Sequence, residues 1–240
     1  MTPIFANLQA VRARLDGAAR AAGRPPESIR LLAVSKTKPA EDVVAAVAAG
    51  QTAFGENYVQ EGCAKIGQVA ALLAAQGSPK ALEWHFIGPL QSNKTRPVAE
   101  SFAWVHAIDR LKIAQRLSDQ RPAALPPLQV CVEVNVSGEA SKSGCAPEEA
   151  LALCQAVAAL PRLQLRGLMA IPAPVDDEQA QRLPFRHLKT LFEQLQQAGL
   201  PVDTLSMGMS HDLEAAVAEG ATLVRIGTAI FGPRIKKEIP

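Results

Sequence analysis

The chain has 240 residues, of which 48% are hydrophobic and 20% charged, a composition typical of a globular protein. Its 25 basic and 23 acidic residues give a formal charge of +2, which is too even for the electrostatic footprint of a nucleic-acid-binding protein. No apolar run approaches the ~20 residues that a membrane helix needs, so we expect a soluble, cytosolic protein without membrane contact. Lys236 and Lys237 are expected to form a solvated tail.

Cysteines and histidines are both spaced without a metal-ligand pattern. No C-x-x-C pair occurs, and the histidines have no H-E-x-x-H spacing. We therefore predict no metal site and buried, reduced thiols. The cysteines are Cys63, Cys131, Cys145 and Cys154.

The chain begins with helical spacing and continues as alternating strand and helix patterns. Residues 4–22 carry Leu8, Val11, Leu15 and Ala18 at helical intervals. From residue 31 onward, short β-like runs alternate with helical segments such as 147–160 and 177–198, which is typical of a parallel sheet with crossover helices. The predicted strands are 31–35, 52–55, 83–87, 104–108, 128–136, 163–171, 204–208 and 223–230.

These eight runs predict an α/β protein, a single-domain (β/α)8 TIM barrel over residues 1–240. Only residues 231–240 follow the last run, too few for a full eighth helix, so we predict that an N-terminal helix within 1–22 packs on that face. Segments 42–52 and 212–222 match at seven of eleven positions. They are either equivalent barrel units or Ala-rich helices that resemble each other by chance.

Chemistry in such a barrel is concentrated at the carboxyl ends of its strands. If Leu32 and Val34 point inward, strand alternation also points Lys36 inward. A lysine at the rim of a barrel lumen is partly desolvated, which favours the neutral amine needed for Schiff-base chemistry. The alternative is a solvated lysine that precedes a loop.

A possible phosphate site follows the seventh and eighth predicted strands, where barrel proteins commonly bind phosphate. Ser206 and Ser210 lie in the first of these segments, before a helix that opens near Leu213, and Gly227 and Thr228 lie in the second. The alternative is that the glycines only ease strand packing and the serines only cap the helix.

Arg225 lies inside an otherwise apolar strand, so a group in the lumen should accept hydrogen bonds from it. Other polar residues near strand ends either line the same mouth or are structural hydrogen-bond partners. They are Asn57, His85, Asn93, His106, Asp109, Glu133 and Asn135. An inward lysine, a phosphate site and a buried arginine on one barrel suggest pyridoxal 5'-phosphate (PLP).

Seven segments resemble the pyridoxal phosphate homeostasis protein family, and the similarity covers nearly the whole chain. The segments are 32–36 (LAVSK), 54–61 (FGENYVQE), 84–94 (WHFIGPLQSNK), 132–135 (VEVN), 166–169 (RGLM), 205–210 (LSMGMS) and 224–232 (VRIGTAIFG). This resemblance implies a barrel like the N-terminal domain of alanine racemase, a PLP-dependent fold of type III. It also implies a PLP-binding protein in vitamin B6 and amino-acid homeostasis, without established catalytic turnover.

The same resemblance assigns cofactor-binding residues. Lys36 matches the Schiff-base lysine, and Arg225 matches the arginine at the pyridine nitrogen. Ser210, Gly227 and Thr228 match the phosphate contacts with Ser206 nearby, and Asn57 matches a residue beside the ring.

An arginine at the pyridine nitrogen only donates hydrogen bonds, which leaves the ring nitrogen unprotonated and weakens its pull on electrons. Barrel-type racemases resemble this chain but use a tyrosine from a second domain as the opposite base. Here the only tyrosine is Tyr58, which we place in the helix after the second strand, and the barrel uses the whole chain. We therefore predict a monomeric protein that holds PLP on Lys36 and passes it to acceptor apoenzymes, with no catalytic residue.

Two alternatives remain. One is a weak PLP-dependent amino-acid racemase with Tyr58 or a cysteine as its second base. The other is a barrel similar to sugar-phosphate isomerases, which would keep the phosphate site and lack the lysine linkage.

Overall fold

The computed structural model describes residues 3–139 and 143–233, so the predicted tail at Lys236 and Lys237 lies outside the described residues. All eight predicted strands form, and they pair in parallel and in chain order into a closed barrel. The predicted (β/α)8 architecture is thereby confirmed. The strands are β1 Arg30–Val34, β2 Ala53–Glu56, β3 Glu83–Phe86, β4 Trp104–Ile108, β5 Leu128–Glu133, β6 Leu163–Met169, β7 Thr204–Ser206 and β8 Leu223–Ile226.

Helices connect consecutive strands on the outside of the barrel. Their ends follow ordinary capping chemistry: the Asp177 carboxylate accepts a 2.7 Å hydrogen bond from Ala180 N at the start of the longest helix, and Gly199 adopts φ +80° after its end. The helices are α1 Pro3–Ala21, α2 Ala40–Ala48, α3 Val59–Ala75, α4 Thr95–Ser101, α5 Leu111–Gln120, α6 Ala150–Ala158, α7 Glu178–Gln197, α8 Leu213–Ala218 and α9 Thr228–Phe231.

Several strands end earlier than their apolar patterns indicated. The predicted strand 223–230 was wrong beyond Ile226, because Gly227 turns the backbone and its carbonyl accepts hydrogen bonds from Ile230 N and Phe231 N, which begins α9. The strands β5 and β6 also stop at Glu133 and Met169. The first residue beyond each strand, Val134 and Ala170 respectively, is apolar and buried at the rim, which explains why the apolar pattern runs past the strand end.

The N-terminal helix α1 packs against α2, α8 and α9, where α9 is a single turn. Its buried residues are Leu8, Val11, Leu15 and Ala19. Asn7 Nδ2 donates to Ile230 O at 2.9 Å, which joins α1 directly to α9. The helix thus occupies the face between the last strand and the first.

Side chains of the strands alternate between the lumen and the surrounding helices. One buried lumen cluster comprises Leu32, Val34, Ala53, Ile87 and Leu223, whereas Ala33 belongs to the larger core between strands and helices. A second lumen cluster comprises Trp104, Ala107, Cys131 and Met169.

All four cysteines are free, and three of them are buried as predicted, whereas Cys63 is half-buried. Within residues 3–139 and 143–233, no helix has the length and apolarity to cross a membrane.

Candidate functional site

Arg225 extends from β8 into the lumen and is almost completely buried. Its strand β8 pairs with β1, with Arg225 opposite Leu32. The terminal nitrogen Nη1 donates to Ser206 O at 2.6 Å and to Ser206 Oγ at 2.8 Å, and Nη2 donates to Ala170 O at 2.9 Å. The predicted need for acceptors around this guanidinium is met by β7 and the end of β6.

These contacts leave donor capacity on Arg225. A guanidinium has five N–H groups, and Nε makes no hydrogen bond to a described residue. Burial lowers the pKa of Arg225 to about 10, against the opposing charges of Asp212 and Glu133, so the side chain stays cationic at neutral pH. The lumen therefore holds a fixed positive charge with an available donor.

Lys36 follows β1 by two residues and is half-buried. Because Leu32 and Val34 belong to the lumen cluster, strand alternation continued to position 36 assigns Lys36 to the lumen side of the rim. Next to it, Thr37 adopts φ +62°, an uncommon backbone conformation for a β-branched residue. The chain turns sharply at this point.

A buried charged cluster outside the barrel holds both neighbours of Lys36. Ser35 Oγ donates to Glu56 Oε1 at 2.7 Å, and Thr37 N donates to Glu61 Oε1 at 2.5 Å. Lys65 Nζ from α3 then donates to Ser35 O at 2.7 Å and to both glutamates at 2.8 Å. The backbone on each side of Lys36 is thereby fixed to one ion-pair network.

Sequence reasoning missed this cluster. Glu56 and Glu61 lie within segment 54–61, whose sequence gives no sign of an ion pair, and Lys65 lies beyond that segment. The available signal was the spacing of Glu61 and Lys65, four residues apart on one helix.

The β7–α8 and β8–α9 loops meet the rim next to β1. Gly208 adopts φ +92°, and a Cβ there would lie 2.6 Å from the Cβ of Ala216, so no larger residue fits without displacement. A Cβ on Gly227 would lie 3.1 Å from Val34 O. Thr228 is exposed at the start of α9, where the first N–H groups of a helix have no intrahelical partner.

Two cations hold these loops from outside. Arg14 of α1 donates to Ser210 O at 2.8 Å and forms a two-pronged pair with Glu214, with both N–O distances 2.6 Å. Lys38 Nζ donates to Phe231 O at 2.8 Å and to Pro233 O at 2.7 Å, which links the loop after β1 to the end of α9.

Unpartnered acceptors lie after three other strands. The side-chain oxygens Asn57 Oδ1, Asp109 Oδ1 and Asn135 Oδ1 are buried and have no hydrogen-bond partner among the described residues. A Cβ on Gly88 would lie 2.3 Å from Asn57 O, so only a glycine here lets the loop after β3 approach the backbone of Asn57 after β2 so closely. Buried acceptors without donors are typical of a place where water or a ligand binds.

Glu133 is a further acidic group near this rim. Burial raises its pKa to about 7, while the charge of Arg225 acts in the opposite direction and that of Asp109 adds to the rise. The carboxyl therefore changes protonation near neutral pH.

The structure also locates four residues that the sequence left open or misplaced. Of the two alternatives for His85 and His106, the structural one holds: both are fully buried inside the lumen and hydrogen-bonded there, with His85 stacked on Trp104 at a centroid distance of 5.1 Å. Asn93 is exposed in a short 3-10 turn, because the segment after β3 leaves the rim. Tyr58 precedes α3 at its N-cap position and is 53% exposed, since the helix begins only at Val59.

The buried histidines extend the contacts of Arg225 through the lumen. His106 Nδ1 lies 2.8 Å from Ser206 Oγ, and His106 Nε2 lies 2.8 Å from His85 Nδ1. His85 Nε2 lies 2.7 Å from Glu83 Oε1, and Glu83 also accepts from Arg30 at the amino-terminal face of the barrel. Ser206 is therefore engaged inside the lumen, between Arg225 and His106.

Known proteins with this fold include close relatives of the chain. Residues 6–234 match the family model described as "Alanine racemase, N-terminal domain". A pyridoxal phosphate homeostasis protein from Pseudomonas aeruginosa is 61% identical over 98% of this chain and 97% of its own length. One from Escherichia coli K12 is 56% identical, with 98% of both chains covered.

A solved structure also matches over nearly the whole length. PipY from Synechococcus elongatus, determined with PLP bound, has a TM-score of 0.79 and 36% identity, covering 95% of this chain and 100% of that one. The chain belongs to the pyridoxal phosphate homeostasis protein family, within the wider family of the alanine racemase N-terminal domain.

Proposed function

We propose that this protein binds PLP covalently through Lys36 and acts in PLP homeostasis by holding the cofactor and passing it to acceptor apoenzymes. The observation that carries the proposal is the buried Arg225, a lumen cation whose Nε–H has no partner among the described residues. The names of the relatives and the PLP in PipY support the same ligand.

The residues fit the cofactor in three places. Arg225 offers a donor to the pyridine nitrogen and keeps it unprotonated, because a guanidinium does not accept protons or hydrogen bonds. Ser210, Gly227 and Thr228 offer hydroxyl and N–H donors to the phosphate, and Gly227 leaves room for the anion beside Val34. In this arrangement Ser206 acts through Arg225, since its hydroxyl and carbonyl both accept from that guanidinium.

Two side chains complete the pocket. Asn57 brings an unpartnered buried oxygen to the rim after β2. Lys36 lies in a backbone held on both sides by the Lys65 cluster, so its amine is presented from a rigid turn.

Bound PLP supplies an aldehyde that condenses with amines and a ring that withdraws electrons from the attached carbon. In this chain no carboxylate takes the place of Arg225 to keep the ring nitrogen protonated. Racemisation also needs acid and base groups on opposite faces, and Tyr58 is more than half exposed. These features favour a carrier of PLP over an enzyme with high turnover, and we propose that this carrier is a monomer.

The visible absorbance of the reconstituted protein tests the covalent linkage. We expect a yellow protein whose band disappears in Lys36→Ala and persists in Lys80→Ala, which removes an exposed lysine. A wild type that stays colourless with PLP would refute the proposal, and a band that survives unchanged in Lys36→Ala would show that Lys36 does not carry the linkage.

Isotope exchange tests the proposed lack of turnover. The holoprotein is incubated with L-alanine or L-serine in deuterated water, and α-deuteration is followed by mass spectrometry. We expect a rate close to that of free PLP, whereas exchange well above it would make the protein a racemase.

A further inference from the structure

A continuous hydrogen-bonded chain crosses the lumen from the amino-terminal face to Arg225. It runs from Glu83 through His85, His106 and Ser206, with consecutive heavy-atom distances of 2.7, 2.8 and 2.8 Å. A further 2.8 Å contact joins Ser206 Oγ to Arg225 Nη1. Neither histidine has a role in the proposed cofactor contacts, so their burial in the centre of the barrel needs a separate explanation.

Both ends of this chain have a fixed hydrogen-bonding character. Arg225 can only donate. Glu83 pairs with Arg30 on the amino-terminal face, and although burial raises the pKa of Glu83, the bonds from His85 and Arg30 lower it further than burial raises it. Glu83 is therefore an ionised carboxylate that can only accept.

The histidines between these ends are neutral. Both are fully buried, and this burial lowers the pKa of His85 and, more strongly, of His106, while Glu83 partly opposes the effect on His85. A neutral imidazole has one donor and one acceptor nitrogen, so the direction of each bond fixes the next.

One set of tautomers satisfies every contact. Because Glu83 only accepts, His85 Nε2–H must donate to it, and His85 Nδ1 must then accept from His106 Nε2–H. His106 Nδ1 consequently accepts from the hydroxyl of Ser206, whose lone pairs are left facing Arg225. Stacking of His85 on Trp104, with an interplanar angle of 10°, holds the first ring in place.

We propose that Glu83, His85 and His106 are positioning residues for the cofactor, because their directional chain orients the Ser206 hydroxyl and thereby fixes Arg225 in the lumen. The role in cofactor binding rests on the proposed function, whereas the tautomers are a property of the protein alone. Removing the carboxylate at Glu83 leaves His85 Nε2–H without its acceptor and frees both rings to exchange tautomers.

Nitrogen-15 NMR of the histidine side chains tests the direction of these hydrogen bonds. The spectra are recorded on the whole protein with and without PLP. We expect His85 and His106 of the wild type to be neutral with the proton on Nε2 in both samples. Detection of an Nδ1–H tautomer at either residue would overturn the proposal, whether or not PLP binds at all.

Three variants test whether the orientation reaches Arg225. In Glu83→Ala we expect mixed tautomers, faster exchange of the Arg225 guanidinium protons, and PLP affinity weakened about two- to tenfold, the effect of one misaligned hydrogen bond. Glu83→Gln keeps a carbonyl acceptor and should retain the tautomers. Asp203→Ala removes the partner of Arg166 on the same face without touching a histidine, so it should match the wild type in all three measurements.

Glu83→Ala with wild-type tautomers and affinity would overturn the positioning role. If Glu83→Ala does not fold, the wild-type tautomers still decide, because an Nδ1–H at His85 or His106 contradicts the proposed direction. A wild type that shows the expected tautomers but does not bind PLP would refute the proposed function and leave the hydrogen-bonded chain intact.

Discussion

Replacing Lys65 with methionine removes the cation that holds the backbone around Lys36. Lys65 is 4% exposed and Glu56 is fully buried, so solvent does little to screen their 2.8 Å ion pair. Loss of one partner from a buried pair costs about 3 to 5 kcal/mol, because the other charge stays buried without compensation. For a domain with about 5 to 15 kcal/mol of total stability, Lys65→Met should remove about a fifth or more of it and lower Tm by roughly 10 °C.

The loss should depend on pH. Burial raises the pKa of Glu56, and in the wild type Lys65 and Ser35 oppose that rise. Without Lys65 the folded-state pKa moves further above the unfolded value of about 4.3, so the folded state binds the proton more tightly. The variant should therefore lose stability as pH rises from the unfolded pKa to the folded one, and its deficit should be smallest in acid.

Chemical denaturation of the wild type and variants at acid and neutral pH measures this effect. Lys189→Met is the matched control, because Lys189 forms an exposed pair with Glu193 at the four-residue spacing of Glu61 and Lys65, and such a pair is worth about 0.5 kcal/mol or less. The double variant Lys65→Met/Glu56→Gln should recover part of the loss, since the remaining amide carries no charge. If Lys65→Met were as stable as Lys189→Met, or equally impaired at both pH values, the assigned role of the buried pair would be wrong.

Four other substitutions test separate parts of the structure. Burial raises the pKa of Glu133 to about 7. The free energy of unfolding of the wild type should therefore fall by about 3 kcal/mol as pH rises from 4.3 to 7. Chemical denaturation of Glu133→Gln should not show this fall. Thr228→Ala and Ser210→Ala should each weaken PLP binding about ten- to a hundredfold in equilibrium titrations, and unchanged affinity in both would place the phosphate elsewhere. Arg14→Ala should cost less than about 1 kcal/mol overall, yet speed hydrogen exchange at residues 208–212, because Arg14 holds Ser210 O and Glu214 from α1. Exchange at wild-type rates would mean that the loop is held without Arg14.

The sequence predicted the barrel because eight short apolar runs alternate along the chain with segments of helical spacing. The alternation of Leu32 and Val34 assigned the lumen face correctly, and an arginine within an apolar strand correctly indicated acceptors in the lumen. Strand ends were less certain, because Ile230 is as buried after the strand as Leu223 is within it.

The contacts between distant strands could not be predicted in the same way. His106 bonds to Ser206 across 100 positions, and that contact exists only because the barrel closes. Periodicity shows which way a side chain points along its own strand, but it does not give the height at which two strands pair. For this reason the sequence left open whether the two histidines line the mouth or act as structural hydrogen-bond partners, and the structure shows the second, inside the lumen.

Borohydride reduction of the PLP-loaded protein, followed by proteolysis and mass spectrometry, tests the central claim most directly. Reduction makes the link between the cofactor and its lysine permanent, so the modified residue can be read from its peptide. The account predicts one phosphopyridoxyl group on Lys36 and none on the neighbouring Lys38 or on Lys65. Modification of another lysine in place of Lys36, or recovery of unmodified Lys36 from a fully loaded sample, would contradict it.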